Sequence, residues 1–183
     1  MAMRKTLEIL NEMVADNVIE RYAIGGAVAA YNYIEPGLTE DLDILVSFET
    51  IPGSAKSGLT VLTPILSFLA QRGYTEFRDV GVVVEGWPVQ FIPVANDLDK
   101  EALDQALDID FATDPDERGV PTRVLRAEHI IATALKLGRP KDHMRMAAFV
   151  ESQAYDSDAL DDVLARHGLK EKWIEVGNQW GWW

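Results

Sequence analysis

YAIGGAVAAYNYIEPGLTEDLDILV, residues 22–46, decides how the rest of the chain is read. Tyr22-Ala23-Ile24 is a short apolar run that stops at Gly25-Gly26, and Ala27-Val28-Ala29-Ala30-Tyr31 behind it favours helix. Strand, tight turn and helix follow in that order. Two residues without Cβ let a ligand approach the main chain, and the N-terminus of the next helix adds partial positive charge, which together favour phosphate oxygens. Pro36-Gly37 breaks the helix, and Leu42, Ile44, Leu45 and Val46 mark a new strand. Asp41 and Asp43 are two residues apart on it, so their carboxylates point the same way, about 7 Å apart at Cα.

Two carboxylates on one face repel each other unless a cation, Arg or Lys sits between them. Magnesium (or manganese) suits the pair, because a hard ion of this kind is usually held by one or two carboxylates plus substrate phosphates. The alternative is a solvated strand end, with Thr39-Glu40-Asp41-Leu42-Asp43 as polar decoration.

Working outward, 183 residues make one domain, or a catalytic domain with a small helical appendage, and 48% hydrophobic residues supply a core. No apolar run approaches membrane-spanning length and no leader pattern opens the chain, so a cytoplasmic protein is expected. Cysteine is absent, which excludes disulfides and thiolate chemistry, and the three histidines are isolated. A net charge of −13 argues against a broad nucleic-acid surface. A small basic cleft remains open, since six of the 17 Lys and Arg residues fall between Arg123 and Arg145. Asn96 to Glu117, with nine acidic residues and one lysine, reads as a solvated face.

Residues 3–18 place Leu7, Leu10 and Val14 at helical spacing. Phe48 to Thr63 reads as a loop over the site. Thr63-Pro64 opens a helix that Gly73 ends. Val82 to Ile92 reads as a hairpin turning at Gly86-Trp87. A strand is expected over 118–126 and a helix over Ala127 to Leu137, which Gly138 stops; Pro140 opens the next helix. Asp156 or Ser157 caps a final short helix that ends at Gly168. The tryptophans of the GNQWGWW tail pack on the body, form a subunit contact in a homo-oligomer, or offer a stacking platform.

A Gly-Gly turn opening a helix, with Asp-x-Asp on a strand about fifteen residues later, resembles the DNA polymerase β-type nucleotidyltransferase superfamily. Gly25-Gly26, Thr39 and Asp41-Leu42-Asp43 carry the match. Small bacterial nucleotidyltransferase-like proteins, including toxins of abortive-infection, type IV toxin–antitoxin systems, are similar, and Leu135-Lys136 with Arg139-Pro140-Lys141-Asp142 extends the likeness over most of residues 1–150. The resemblance implies an α/β (α+β) nucleotidyltransferase fold, a mixed and mainly antiparallel sheet flanked by helices, with a catalytic domain over 1–126 and a helical C-terminal region over 127–183. It implies transfer of an NMP group from an NTP to an RNA or tRNA, a protein or a small molecule, and an antitoxin partner if the chain is a toxin.

Asp41 and Asp43 are then the metal ligands. Gly25, Gly26, Thr39, Lys136 and Arg139 hold the nucleotide, with Lys136 also in a catalytic role and Asp142 a weaker candidate. Lys136 has an alternative as a helix-end lysine that complements the dipole. The superfamily's third metal carboxylate aligns with Gln90, a neutral amide. Either the ion rides in with the nucleotide on Asp41 and Asp43, or Glu85 replaces the missing acid from a diagonal position on the hairpin. The competing reading is a degenerate nucleotide-binding or protein-interaction module.

Overall fold

The computed structural model describes residues 2–37, 39, 41–48, 62–79, 81–112 and 118–183. Glu40 and nearly all of the expected 48–63 loop lie outside these residues. Helix α1 (Ala2–Ala15) buries Leu7, Leu10 and Met13 completely or almost so. Strand β1 (Arg21–Ile24) leads through Gly25 into the short helix α2 (Gly26–Ala30), and β2 (Leu42–Ser47) returns antiparallel to β1, pairing Arg21 with Ser47 and Ile24 with Ile44. The strand, turn, helix, strand order expected for the opening stretch is therefore present. Asp41, however, stands one residue before β2 rather than on it.

Helix α3 (Thr63–Gln71) starts with Pro64 in its first turn. It is followed by β3 (Phe77–Arg78), β4 (Gly81–Val84), β5 (Trp87–Pro93), α4 (Asp97–Asp104), β6 (Leu107–Phe111) and β7 (Val120–Val124). The sheet order is β3-β4-β5-β2-β1-β7-β6. Among the described residues only β2 with β5 and β1 with β7 pair in parallel; the other four pairings are antiparallel. The mixed, mainly antiparallel sheet is thus the fold. Four helices follow it: α5 (Ala127–Leu137), α6 (Pro140–Ser152), α7 (Ser157–Arg166) and α8 (Lys170–Trp180).

Strand alternation decides which side carries the site. Tyr22 donates its hydroxyl proton to Asn11 Oδ1 of α1 at 2.9 Å, so Tyr22 and Ile24, with their partners Val46 and Ile44, face α1. Asp43 and Leu45 face the other way, into a cavity walled by α5 and α6. Helices cover both faces, and one apolar cluster runs from Leu7 of α1 to Val176 of α8.

Three expectations change. The hairpin turns one residue earlier than expected, at Glu85-Gly86, with Val84 opposite Trp87 and Val83 opposite Pro88. Both turn residues take positive φ, 51° and 90°, which matches the right-handed twist of the strands and suits Gly86 where Trp87 would be strained. Glu85 therefore leaves the strand; its carboxylate accepts a bond from Tyr74 Oη at 2.5 Å and lies 3.5 Å from Lys5 Nζ. The acid-rich stretch from Asn96 is not merely solvated: α4 buries Leu98, Ala102 and Leu103. Helix α8 is additional to the expected elements, and it carries the tail. Trp183 lies across Gly177, where a Cβ would stand 1.9 Å from its ring, and Trp173, Trp182 and Trp183 pack with centroids 5.1–6.1 Å apart. Of the tail, Trp182 packs against the core and Trp180 stacks on His143 of α6, while Trp180 and Trp183 stay 47% and 60% exposed.

Candidate active site

The turn and the acid are built against each other. Gly25 is buried in ordinary extended geometry, φ −116°, and its N–H donates to the Asp43 carbonyl at 2.8 Å. Gly26 takes φ +58°, and a Cβ there would stand 1.9 Å from Asp43 Oδ2. Only glycine permits both that dihedral and that approach. The Asp43 carboxyl is held above the usual carboxylate range, chiefly by burial and next by the charge of Asp41; Lys141, Arg145 and Arg139 pull it back down.

Thr39 orients the second acid. Its hydroxyl lies 3.1 Å from Asp41 Oδ1 and 3.2 Å from the Asp41 carbonyl, so its single proton is spent on this neighbour. Gln90 sits directly beside Asp43 in the β2–β5 register. The position aligned with the third acid is thus at the site, and it presents an amide. Among the described residues no group of three His, Cys, Asp or Glu side chains could hold a metal ion.

A cationic wall stands opposite the acids. Arg139 caps the N-terminus of α6, where Pro140 needs no N–H partner. Its Nε donates to Asp142 Oδ2 at 2.7 Å and its Nη2 to Oδ1 at 3.0 Å, while its main-chain N–H reaches Oδ2 at 3.1 Å. Asp142 is fully buried, and Arg145 Nη1 approaches its Oδ1 to 3.6 Å. Burial pushes the Asp142 carboxyl up, but the Arg139 bonds and charge outweigh it and hold it below the usual range. Asp142 is therefore occupied as an anchor for two arginines.

Two cavities meet at this point. One, of about 340 Å³, brings Gly25, Gly26, Asp43, Lys136, Arg139 and Asp142 together. The other, of about 480 Å³, is lined by Thr39, Asp41, Lys141 and Met144, and both share Gln90 and Arg145. Every residue proposed from sequence for nucleotide or metal thus borders one joined cleft, whereas Glu85 borders neither cavity. Sequence reasoning gave no role to Arg145 and Lys141. Their signal was helical spacing: 142 and 145 lie three apart, on the face that follows Arg139.

No protein-family model matches this chain, and no curated protein matches it. Among solved structures it is similar to that of the antibiotic-resistance factor ANT(2'')-Ia, with a TM-score of 0.48 and 15% identity over 97% of each chain. At that score and identity the likeness carries no weight for chemistry. What the chain does is read from its own cleft.

Proposed function

We propose that the chain is a nucleotidyltransferase that moves an NMP group from an NTP to an acceptor. One observation carries this reading: an acid pair, one member set against a glycine turn, faces three cations of a single helix across a common cleft. Burial first, and the neighbouring charge of Asp41 second, raise the Asp43 carboxyl, so the ionised pair is disfavoured without a partner ion. The donor set fits a divalent ion that arrives with a triphosphate, because two carboxylates and an amide leave the remaining positions to phosphate oxygens and water. Asp41 and Asp43 would hold Mg²⁺ or Mn²⁺, which when bound supplies charge neutralisation at the attacking and leaving oxygens.

The chain's own residues do the rest. The Gly25-Gly26 turn lets phosphate oxygens reach the main chain. Lys136, Arg139 and Lys141 neutralise the charge that develops on departing pyrophosphate. An acceptor oxygen forms a bond to the α-phosphorus as the bond to the β-bridging oxygen breaks in line. Pyrophosphate leaves with the electron pair, and the acceptor's proton passes to water through the open cleft.

Incubation with each α-³²P-labelled NTP, Mg²⁺ or Mn²⁺, and cellular RNA, protein or small-molecule extract tests this. Label transferred by wild type and lost in Asp41→Asn/Asp43→Asn supports it, and the labelled fraction gives the acceptor class. A second reading has its own support in Gln90, which stands in register with Asp43 where a third acid is expected: a nucleotide-binding module without transfer. Retained NTP binding with no label transferred would favour that module.

A further inference from the structure

The 340 Å³ cavity is graded along its length. On its floor, the β2–β5 register sets Asp43 beside Gln90 and then, on the same face, Leu45 beside Ile92. These rows lie about 7 Å apart. The ladder continues to Val94, whose N–H donates to the Val46 carbonyl at 3.0 Å, and the chain then turns into α4 through Asn96. Asn96 and Asp99 line the far end, and Lys136 of α5 stands between it and the charged end, since it also borders Asn96 and Asp97 in an adjoining cavity. The wall is an unbroken helical stripe, Ile130, Thr133, Ala134 and Leu137 of α5, at spacing i, i+3, i+4, i+7. A charged end, an apolar slot and a polar stop thus follow each other, and the acids at the first row lie one apolar row from the slot's end. That is the order of a nucleotide's triphosphate, sugar with base face, and base edge.

The polar stop has a fixed polarity. Asp99 Oδ2 accepts from Ala95 N at 3.1 Å and from Asn96 Nδ2 at 2.7 Å, so this oxygen is filled and the carboxylate is pinned. Among the described residues nothing donates to Asp99 Oδ1, and the side chain is half-buried in the cavity lining. An ionised carboxylate only accepts. It matches a base that presents an N–H₂ group, as adenine, cytosine and guanine do. Uracil presents one imide N–H between two carbonyls, and those carbonyl lone pairs oppose the carboxylate.

We infer that Asp99 is the base-reading residue of this cleft and selects an amine-bearing nucleoside triphosphate against UTP. The inference rests on the nucleotidyl-transfer reading of the same cleft. Asp99→Asn is the informative variant, because its carbonyl can keep the bonds from Ala95 and Asn96 while its Nδ2 turns an acceptor into a donor suited to uracil O4.

Calorimetry with Mg²⁺ and the α,β-methylene analogues of ATP, CTP, GTP and UTP tests it. In wild type the UTP analogue should bind about 10-fold or more weaker than the best amine-bearing analogue, the scale of one base-edge contact. In Asp99→Asn that ratio should fall to about one or invert. A ratio unchanged between the two proteins, or four equal affinities in wild type, overturns the base assignment and leaves nucleotide binding standing. Binding of none of the four analogues to wild type overturns both.

Discussion

Adjacent glycines that look interchangeable in the sequence should respond oppositely to alanine. At Gly25 a Cβ meets Leu125 Cδ1 at 3.5 Å and the Asp43 carbonyl at 3.8 Å, ordinary contacts, and φ is permissive. At Gly26 it would stand 1.9 Å from Asp43 Oδ2 and 2.8 Å from Cγ, with φ at +58°. The dihedral alone costs about 1–2 kcal/mol for a residue with Cβ. The carboxylate must also leave its rotamer, for roughly 0.5–1.5 kcal/mol. Gly26→Ala should therefore lose about 2–3 kcal/mol in urea unfolding, or about 4–12 °C in Tm for a chain of this size. Gly25→Ala should stay within about 0.5 kcal/mol. Because the displaced group is Asp43, Gly26→Ala should also lose Mn²⁺-dependent nucleotide binding in calorimetry. Equal unfolding free energies for the two variants would refute the argument that the turn is fitted to the acid.

Four further outcomes follow from the structure. Asp142→Asn should destabilise by about 2–3 kcal/mol, since it leaves two arginines beside a buried amide, and should weaken NTP binding about 10-fold by freeing Arg139. Lys141→Ala, at an exposed position, should weaken binding without changing the urea midpoint. Asp43→Asn should raise Tm in the absence of nucleotide: a carboxyl whose folded pKa is raised loses stability as pH climbs above its unfolded value of 3.8, a deficit that Asn removes at neutral pH. A Tm equal to or below wild type at pH 7 would contradict this. Glu101 behaves in the opposite sense, since bonds from Arg166, His167 and His129 hold its carboxyl down to about 2. That interaction stabilises above pH 4.5 and is lost as pH falls from there toward 2. The full shift corresponds to about 3 kcal/mol, reduced to about 1–2 by the half-exposed Arg166. Glu101→Gln should be less stable than wild type at pH 7 in urea, and the gap should narrow below pH 4.5 and close near pH 2.

What could be read from the chain was local. Gly25-Gly26, the Asp41/Asp43 pair and the limits of α5 are written in contiguous residues, and helix punctuation by Gly138 and Pro140 needs no tertiary information. Register was less accessible. Gly86-Trp87 and Glu85-Gly86 are both two-residue turns on paper, and the twist of the paired strands decides between them. That single choice moved Glu85 from the cleft to Tyr74 and Lys5. Helix α8 was hidden because only Val176 and Gly177 are buried along it, leaving little periodic signal. The grouping of Arg139, Lys141 and Arg145 over Asp43 depends on how α6 docks against the sheet about 100 residues away in sequence, which spacing alone does not encode.

The parallel pairing of β1 with β7 has a consequence for how such a chain is made. Ile24 faces Val124, and the Leu125 N–H closes the join on the Ile24 carbonyl at 3.0 Å. While a ribosome has delivered β1, β2 and β5 but not β7, β1 is a bare edge at what will become the middle of the sheet, open to pairing with other chains. The glycine turn and both acids are already synthesised at that stage, yet the cations of α6 are not. Chemistry and protection from misassembly therefore arrive together, with the last third of translation, and a nascent or truncated chain is the form in which this protein is most exposed to aggregation.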